Sequence, residues 1–378
     1  MTLARHIGET MDRSPSSRNH GQRGQIIVIG ALALVAMVGL GALVLEGGNA
    51  YAQQRVVQNG ADAAANAGAV VIAQKLSGTT QNDAAVLAAV TTSATANNLT
   101  NVVGRYTDVM GHYLNSGGTV VSDPADAALV GGGSIPAKAQ GVAIGGTRTF
   151  DTVLARSLGF ASFDASADAT AVAGALAGGA FLPVIFPVNI TACEGNGNLG
   201  IGEEFWQLSQ PGEPPVGPEY IVPLCKTGSG SFQILDLDPN LRCDDEIANI
   251  PVIHWTTFPL DVPSDNGNNC AKPIADYVNA NLQGKVVLVP ICDDECTTTG
   301  GSKAFYHVIK VAAFYVDYMS DDNKKRNPEC EGRPGFIDMG GNGSSSCLAG
   351  WFVRYITAGP VGTGEVKNSD AIGIQLIK

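Results

Sequence analysis

An uncharged apolar run at residues 25–45 constrains this chain more than any other sequence feature. In a helix its 21 residues rise roughly 30 Å, the thickness of the hydrocarbon core of a bilayer. The apolar region of a cleaved secretory signal is shorter, about 7–15 residues, and leads into a small-residue cleavage site. Ala42 and Val44 make a poor site because Glu46 follows closely. We therefore expect an uncleaved signal anchor, with a cleaved signal as the alternative.

The charges that flank this run predict its orientation in the membrane. Basic residues precede it, against the acids Glu9 and Asp12, whereas the first base after it is Arg55. The preceding bases are Arg5, Arg13, Arg18 and Arg23. Because basic flanks stay in the cytoplasm, we expect residues 1–24 to form a cytoplasmic arm and residues 25–45 to be embedded in the lipid bilayer. Everything after residue 46 is expected to be extracytoplasmic.

All eight cysteines fall in the second half of the chain, and an even number in an exported protein predicts disulfides. They are Cys193, Cys225, Cys243, Cys270, Cys292, Cys296, Cys330 and Cys347. The simplest connectivity pairs them in chain order, although eight cysteines allow 105 pairings. Zinc is the alternative, because Cys292 and Cys296 have a tolerable ligand spacing. No second closely spaced pair completes a tetrahedral set.

The acidic charge is also concentrated in the second half. Residues 1–180 carry 10 basic and 11 acidic residues, and residues 181–378 carry 13 and 24. Nearly all of the net charge of −12 therefore belongs to residues 181–378. Such a surface repels nucleic acid and anionic membranes, so we expect no nucleic-acid partner.

Residues 49–76 predict one helix, because small and apolar residues recur there at helical spacing. Gly60, Ala64 and Gly68 are four residues apart and share one face, which lets another backbone approach closely. We expect this helix packing face to lie on the chain's own sheet, with a contact to another subunit as the alternative. Gly47 and Gly48 are expected to loosen the junction with the apolar run, since each costs helix stability of roughly 1 kcal/mol.

The remaining patterns predict an α+β protein. Helices are expected at 82–97, 151–158 (with Thr149 as N-cap) and 274–282. Strands are expected at 102–113, 119–122, 140–149, 163–173, 181–190, 232–237, 285–291, 306–319, 350–357 and 371–377. The fold class is therefore α+β, with an N-terminal transmembrane helix continuing into an α+β stalk, residues 46–180. A mostly β, disulfide-bonded extracytoplasmic domain follows at residues 181–378.

The N-terminal segment resembles the TadE/TadG-like proteins of the Flp (tight-adherence) pilus assembly system. That family shows an apolar anchor, an acidic residue, an aromatic residue and then Gln-Asn-x-Ala-Asp-Ala-Ala. The matching positions are Gly24, Glu46, Tyr51, Gln58, Asn59, Ala61, Asp62, Ala63 and Ala64. Glu46 stands where the family usually has Asp, and Gly60 interrupts the usual alanine. Residues 141–173 and parts of 284–356 also resemble the family, so the resemblance covers about half of the chain.

The resemblance implies a single-pass accessory or assembly protein of a pilus system, in which the α+β stalk is pilin-like. Its implied partners are other pilus-assembly proteins or further copies of itself. The family motif is structural, so it implies no catalytic residues, no cofactor and no small-molecule substrate.

Motifs for catalysis and for metal binding are missing or weak. The five histidines are scattered, and there is no Gly-x-Ser-x-Gly elbow, no His-Glu-x-x-His helix and no Gly-Lys-Ser/Thr phosphate loop. Acidic clusters near 236–246, 265–269 and 321–323 offer oxygen ligands for calcium, but turn chemistry also explains them. Residues 164–168 come nearest to a von Willebrand A metal motif, yet Asp168 replaces its last serine.

We therefore expect a non-enzymatic membrane-anchored component of Flp/Tad-type pilus assembly or surface adhesion. Two alternatives remain, an anchored adhesin that binds an external ligand and a secreted hydrolase. An adhesin is expected to show an exposed aromatic patch, and a hydrolase a deep pocket with shifted acids or histidines.

Overall fold

The computed structural model describes most of the N-terminal half and the main strands of the C-terminal half. The described residues are 21–179, 181–187, 209, 212–217, 219–223, 231–235, 260–266, 271–292, 305–320, 347–364, 366 and 370–378. They divide between two compact units. One unit contains residues up to 53 together with 149–165, and the other contains residues 54–148 and 166–378.

The first two helices follow the sequence pattern closely. Helix α1 (Gly21–Leu76) is continuous for 56 residues and includes both the apolar run and the helix predicted after it. Gly47 and Gly48 lie within α1 and do not interrupt it; the expected loosening of the helix at this pair stays a prediction. Helix α2 (Asp83–Ala96) begins after Asn82, whose Oδ1 accepts a hydrogen bond from the backbone N–H of Ala85 at 2.9 Å.

Twelve strands are present among the described residues. They are β1 (Thr100–Thr107), β2 (Gly141–Asp151), β3 (Ser162–Ala175), β4 (Phe186–Pro187), β5 (Tyr220–Pro223), β6 (Ser231–Leu235), β7 (Leu260–Asn266), β8 (Val286–Cys292), β9 (Phe305–Met319), β10 (Cys347–Phe352), β11 (Ile356–Ala358) and β12 (Ile372–Leu376). The predicted α+β content, with a long apolar helix at the N-terminal end, is confirmed.

These strands form two sheets. The first has five strands in the order β1-β2-β3-β12-β11; β1–β2 and β3–β12 are antiparallel, and β11–β12 is parallel. The second has seven strands, with β4-β8-β9-β10-β5 along its main path and β7 joining β6 to β9. Its central strand β9 runs antiparallel to β8, β10 and β7. Strand β12 brings the end of the chain into the sheet that β1 begins.

The core of the second sheet is built from apolar and aromatic side chains. Helix α3 (Ala271–Tyr277) continues into a π-helical turn at Val278–Leu282, and both pack on this sheet. Phe314 and Phe352 lie 5.1 Å apart between ring centroids, and Phe186 contacts both rings edge-on. Edge-to-face packing of this kind adds to the free energy gained from burying the rings.

Several predicted elements differ from those observed. The strand predicted at 102–113 ends at Thr107, and 119–122 forms only an isolated bridge between Leu114 and Val120. The strand predicted at 350–357 is two strands, β10 and β11. In 181–190 only β4 and isolated bridge residues at Phe181 and Val184 are strand-like, while 188–190 lie outside the described residues. Strands β5 and β7 lack clear alternation in sequence and were not predicted.

Candidate functional site

Within the first unit, Glu46 joins helix α1 to the hairpin between β2 and β3. Its carboxylate Oε1 accepts hydrogen bonds from the backbone N–H groups of Leu154 and Ala155, the latter at 2.7 Å. These two N–H groups open the 3₁₀ helix Ala155–Leu158, whose own N-cap residue supplies no side-chain bond. A carboxylate at such an end satisfies orphan donors and favours the local dipole. Glu46 therefore caps this turn from a different element.

The charge of Glu46 is stabilised by these contacts. The hydrogen bond from the backbone of Ala155 is the largest influence and holds the pKa of Glu46 below its usual value of 4.5. Partial burial opposes this effect, and the backbone of Leu154 and Val153 adds to the lowering. Hydrogen bonds to an ionised acceptor are stronger than neutral ones. The carboxylate form is consequently the one that holds the turn at neutral pH.

A second hydrogen bond fixes the direction of the hairpin along α1. Asn49 Nδ2 donates to the backbone carbonyl of Asp151 at 3.2 Å, three residues along the chain from the Leu154 contact. On α1 the step from Asn49 to Glu46 is also three residues, a rise of about 4.5 Å toward the apolar run. Beyond Asp151 the hairpin therefore advances toward the end of the apolar run.

The tip of this hairpin is closed by its own hydrogen bonds and leaves apolar side chains exposed. Thr152 Oγ1 donates to the carbonyl of Phe160 at 2.5 Å, and Thr152 N–H donates to the carbonyl of Ala161 at 3.1 Å. Val153 and Phe160 are each 59% exposed. The Phe160 ring stacks on that of Phe163 at 6.2 Å between centroids. Thr149, the predicted N-cap, instead donates its hydroxyl to Asp164 Oδ1 at 2.6 Å.

Within the second unit, the next turns of α1 bind the backbone of β3. Gln54 Nε2 donates to the carbonyl of Ser166 at 2.7 Å, and Gln58 Nε2 donates to that of Asp168 at 3.1 Å. Gln58 also donates to Asp62 Oδ1 at 2.9 Å. Polar side chains in this part of α1 thus make structural hydrogen bonds to the sheet. Sequence comparison picked out Gln58 and Asp62 but gave no partner for either.

The predicted helix packing face, Gly60, Ala64 and Gly68, lies in the same unit. Ala64 is fully buried. A Cβ atom placed on Gly60 would meet Leu99 at 3.1 Å, and one placed on Gly68 would meet Val90 of α2 at 3.0 Å and Val142 of β2 at 3.1 Å. The chain's own elements therefore come close to this face. Its energetic importance stays a prediction.

A buried carboxylate organises the start of α2. Asp83 accepts hydrogen bonds from the Tyr106 hydroxyl at 2.7 Å and from the backbone N–H groups of Gly131 and Gly133 at 2.8 and 2.7 Å. Burial raises the pKa of Asp83, but these three bonds outweigh it, so its pKa lies below the usual 3.8. Burial and the Asp83 carboxylate raise the pKa of the Tyr106 hydroxyl.

Two of the eight cysteines belong to the described residues. Cys292 on β8 and Cys347 on β10 are both buried, and neither is a free thiol. The other six, Cys193, Cys225, Cys243, Cys270, Cys296 and Cys330, lie outside the described residues, as does most of each acidic loop considered for calcium. In the part of the chain that is described, no group of three or more His, Cys, Asp or Glu side chains could hold a metal ion.

The described histidines that flank strands are bonded to acids. His307 Nδ1 on β9 lies 2.7 Å from Asp261 Oδ1 on β7, its register partner in the sheet. His112 Nδ1 lies 3.1 Å from Asp108 Oδ2. Both pairs are exposed cross-strand or turn contacts of the ordinary structural kind.

Helix α1 contains a segment long and apolar enough to cross a membrane, judged by length and composition. The chain is therefore an α+β protein with a long N-terminal helix suited to a membrane, followed by two sheets. Residues 24–71 match the Tad family model, which describes TadE/G-like proteins of Flp pilus assembly. The resemblance inferred from the sequence is confirmed for this segment. No curated protein and no solved structure matches the chain.

The family match covers both the apolar run and the polar turns after it. It includes Glu46, whose contact with the hairpin could not be found from sequence, since its partners are backbone groups 108 and 109 residues away. The only sequence signal was the position of an acid directly after the apolar run. The similarity of residues 141–173 and of parts of 284–356 to the family stays a prediction.

Proposed function

We propose that this protein is a non-enzymatic, membrane-anchored component of Flp/Tad-type pilus assembly or of the surface adhesion that such a system performs. The observation that carries the proposal is the family match over residues 24–71. In this proposal residues 25–45 cross the membrane, residues 1–24 stay in the cytoplasm, and the rest of the chain lies outside. Its partners are other pilus-assembly proteins or further copies of the chain.

The exposed side of α1 supports a protein partner for the matched segment. Val56 and Val70 are exposed, although both are apolar and both lie on the helix that carries the motif. They are 14 residues apart, close to four helical turns, so they lie on the same side of α1. The neighbouring Val57 is fully buried against the chain's own fold. One side of α1 in the matched segment therefore packs against the chain's own fold, and another side is exposed and accessible to a partner.

The cysteines fit an oxidising, extracytoplasmic location. We propose that all eight form disulfides, because burial of two described cysteines without a free thiol agrees with that chemistry. The pairing in chain order, Cys193–Cys225, Cys243–Cys270, Cys292–Cys296 and Cys330–Cys347, is the simplest proposal. Alkylation without reductant, read by mass spectrometry, is expected to label no cysteine. Labelling of Cys292 together with Cys296, with zinc retained after purification, would support the metal site instead.

Site-specific photo-crosslinking in the native cell tests the assembly role. A photoreactive amino acid at Val56 or Val70 is expected to capture another component of the pilus system or a second copy of the chain. The same residue at Val57 is the matched control and is expected to yield only contacts within the chain, because this position is buried. Recovery of no pilus-system protein and no second copy from either exposed position contradicts the proposal.

A further inference from the structure

We propose that the tip of the β2–β3 hairpin, residues 152–163, is a second membrane contact that lies in the outer-leaflet interface beside the anchor. This inference rests on the proposed function, because it requires residues 25–45 to cross the bilayer. It concerns a different part of the chain, however, and makes a separate claim: the hairpin tip binds a lipid surface rather than water or protein.

The position of the tip follows from the hydrogen bonds of Glu46. Glu46 is the first residue after the apolar run, so in a spanning helix its level is the outer boundary of the hydrocarbon core. Its carboxylate is bonded to the N–H groups of Leu154 and Ala155. The start of the 3₁₀ turn therefore lies within one side-chain length of that boundary. The Asn49 contact with Asp151 shows that the hairpin approaches the boundary as it runs toward its tip.

The exposed side chains at the tip have the chemistry of an interface. Thr152, which precedes Val153, is hydrogen-bonded to the carbonyl of Phe160, and Val153 and Phe160 are each 59% exposed. Arg156 on the same turn keeps its guanidinium at the surface, where it lies 3.6 Å from Asp151. Aromatic rings favour the headgroup level of a bilayer, and a basic side chain there can meet lipid phosphates. Apolar side chains continue on α1 itself, since Val44 and Leu45 are also exposed.

The backbone at the tip suits this location because its polar groups are used internally. Phe160 N–H donates to the carbonyl of Ala155 at 3.1 Å, and Gly159 ends the turn with a φ of 95°, a left-handed conformation that favours glycine. Glu46 satisfies the N–H groups that open the turn. Backbone groups that are already bonded can approach the hydrocarbon boundary at lower cost.

Fluorescence quenching by lipids tests the inference on the full-length chain in nanodiscs of phosphatidylcholine and phosphatidylglycerol. The emission added by Phe160→Trp, relative to the wild-type chain with its three native tryptophans, is expected to be quenched by lipids brominated near the headgroup end of the acyl chain. Quenching by lipids brominated near the methyl end is expected to be about twofold weaker, as befits an interfacial ring. Unchanged thermal unfolding in detergent verifies that the substituted chain is folded.

Val44→Trp, placed inside the apolar run, separates the two claims. If Val44→Trp is quenched by brominated lipid but Phe160→Trp is quenched only by aqueous acrylamide, the hairpin inference fails and the anchor stands. If Phe160→Trp is shielded from both kinds of quencher, a protein surface covers the tip and the inference also fails. If neither variant responds to brominated lipid, the membrane anchor itself is wrong.

Discussion

At the scale of single residues, Glu46 does more than its place in the family motif indicates. An acid directly after an apolar run is readily explained as a boundary marker that keeps the helix end in water. In the structure the same carboxylate caps a 3₁₀ turn more than a hundred residues away in sequence. The Glu46 side chain is long enough for its Oε1 to accept hydrogen bonds from both N–H groups.

Glu46→Gln is expected to loosen the hairpin tip without unfolding the chain. The amide keeps the shape of the side chain but replaces a charged acceptor by a neutral one, so protection of the Leu154 and Ala155 amides from hydrogen exchange should fall about fivefold to tenfold. A peptide from β2 serves as the internal control and should be unchanged. Equal protection in both chains would show that the capping bonds do not form.

The effect of Glu46 has a defined pH dependence. Because its folded-state pKa lies below the usual 4.5, its contribution is fully present above pH 4.5 and is lost as the pH falls through the lowered value. The wild-type and Glu46→Gln chains should therefore show the same protection factors at low pH.

Asp83→Asn is expected to lower the stability of the chain by roughly 1.5–3 kcal/mol, the value of hydrogen bonds to a buried charged group. The new amide also places a donor where the N–H groups of Gly131 and Gly133 need an acceptor. Asp123→Asn is the control, because this exposed residue caps a short turn and Asn caps as well as Asp. Denaturant unfolding in detergent measures both.

The Asp83 effect should shrink in acid. Its folded-state pKa is lowered, so its contribution is present above the usual 3.8 and is lost as the pH falls through the folded value. If the difference in stability between the wild-type and Asp83→Asn chains stays the same below that pH range, Asp83 does not stabilise the fold as an ionised carboxylate.

At the scale of elements, periodic patterns were the reliable guide. Helix α2 and strands β2, β3, β8, β9 and β12 were predicted within a few residues, because each has a clear helical or alternating pattern and turn signals at its ends. Strand β1 was predicted too long, since Asp108 accepts hydrogen bonds from the N–H groups of Met110 and His112 and turns the chain there. The 3₁₀ turn at Ala155–Leu158 lies within the helix predicted at 151–158. Its predicted cap, Thr149, is wrong, because the cap is Glu46 of α1.

The small residues of α1 give a prediction at this scale. Ala64→Leu is expected to destabilise the chain by roughly 1–3 kcal/mol, because the larger side chain would be forced into a fully buried site. Ala52→Leu is the matched control, since it is the same substitution on the exposed side of the same helix and should change stability by less than about 0.5 kcal/mol. If the unfolding midpoints of both variants equal that of the wild-type chain, Gly60, Ala64 and Gly68 do not form a packing face.

At the scale of the whole molecule, two successive regions could be predicted from the sequence. The sheet and the core that they share could not. Leu176 and Phe181 lie on either side of the predicted boundary at 180, yet both pack with Val311 of β9. Arg354 Nε also donates to the carbonyl of Ser77 at 2.9 Å. Contacts between residues this far apart leave no local signal, which is why they could not be predicted. Whether residues 181–378 fold as a separate domain stays a prediction.

A buried ion pair joins the two sheets and gives a prediction for the fold as a whole. Lys310 of β9 lies 3.1 Å from Asp370, which immediately precedes Ala371 and β12. Asp370→Ala should cost roughly 3–5 kcal/mol, because it leaves the buried ammonium without this carboxylate. The combined Lys310→Met and Asp370→Ala variant should recover part of that loss. Unfolding in denaturant provides the comparison.

The exposed pair of Lys272 and Asp276, also 3.1 Å apart, is the control for the buried one. Asp276→Ala should cost no more than about 1 kcal/mol, since water screens an exposed pair. Similar losses for Asp276→Ala and Asp370→Ala would contradict the importance given to burial.

Membrane topology is the claim on which the rest of the account depends. A full-length chain with one tag at Met1 and another after Lys378 should be treated with protease in spheroplasts, where only extracytoplasmic segments are accessible. The account predicts loss of the C-terminal tag, with the Met1 tag retained on a membrane-bound fragment that contains residues 1–45. Digestion of the Met1 tag from outside, or a mature protein that lacks residues 1–45 and is released from the membrane, would contradict it.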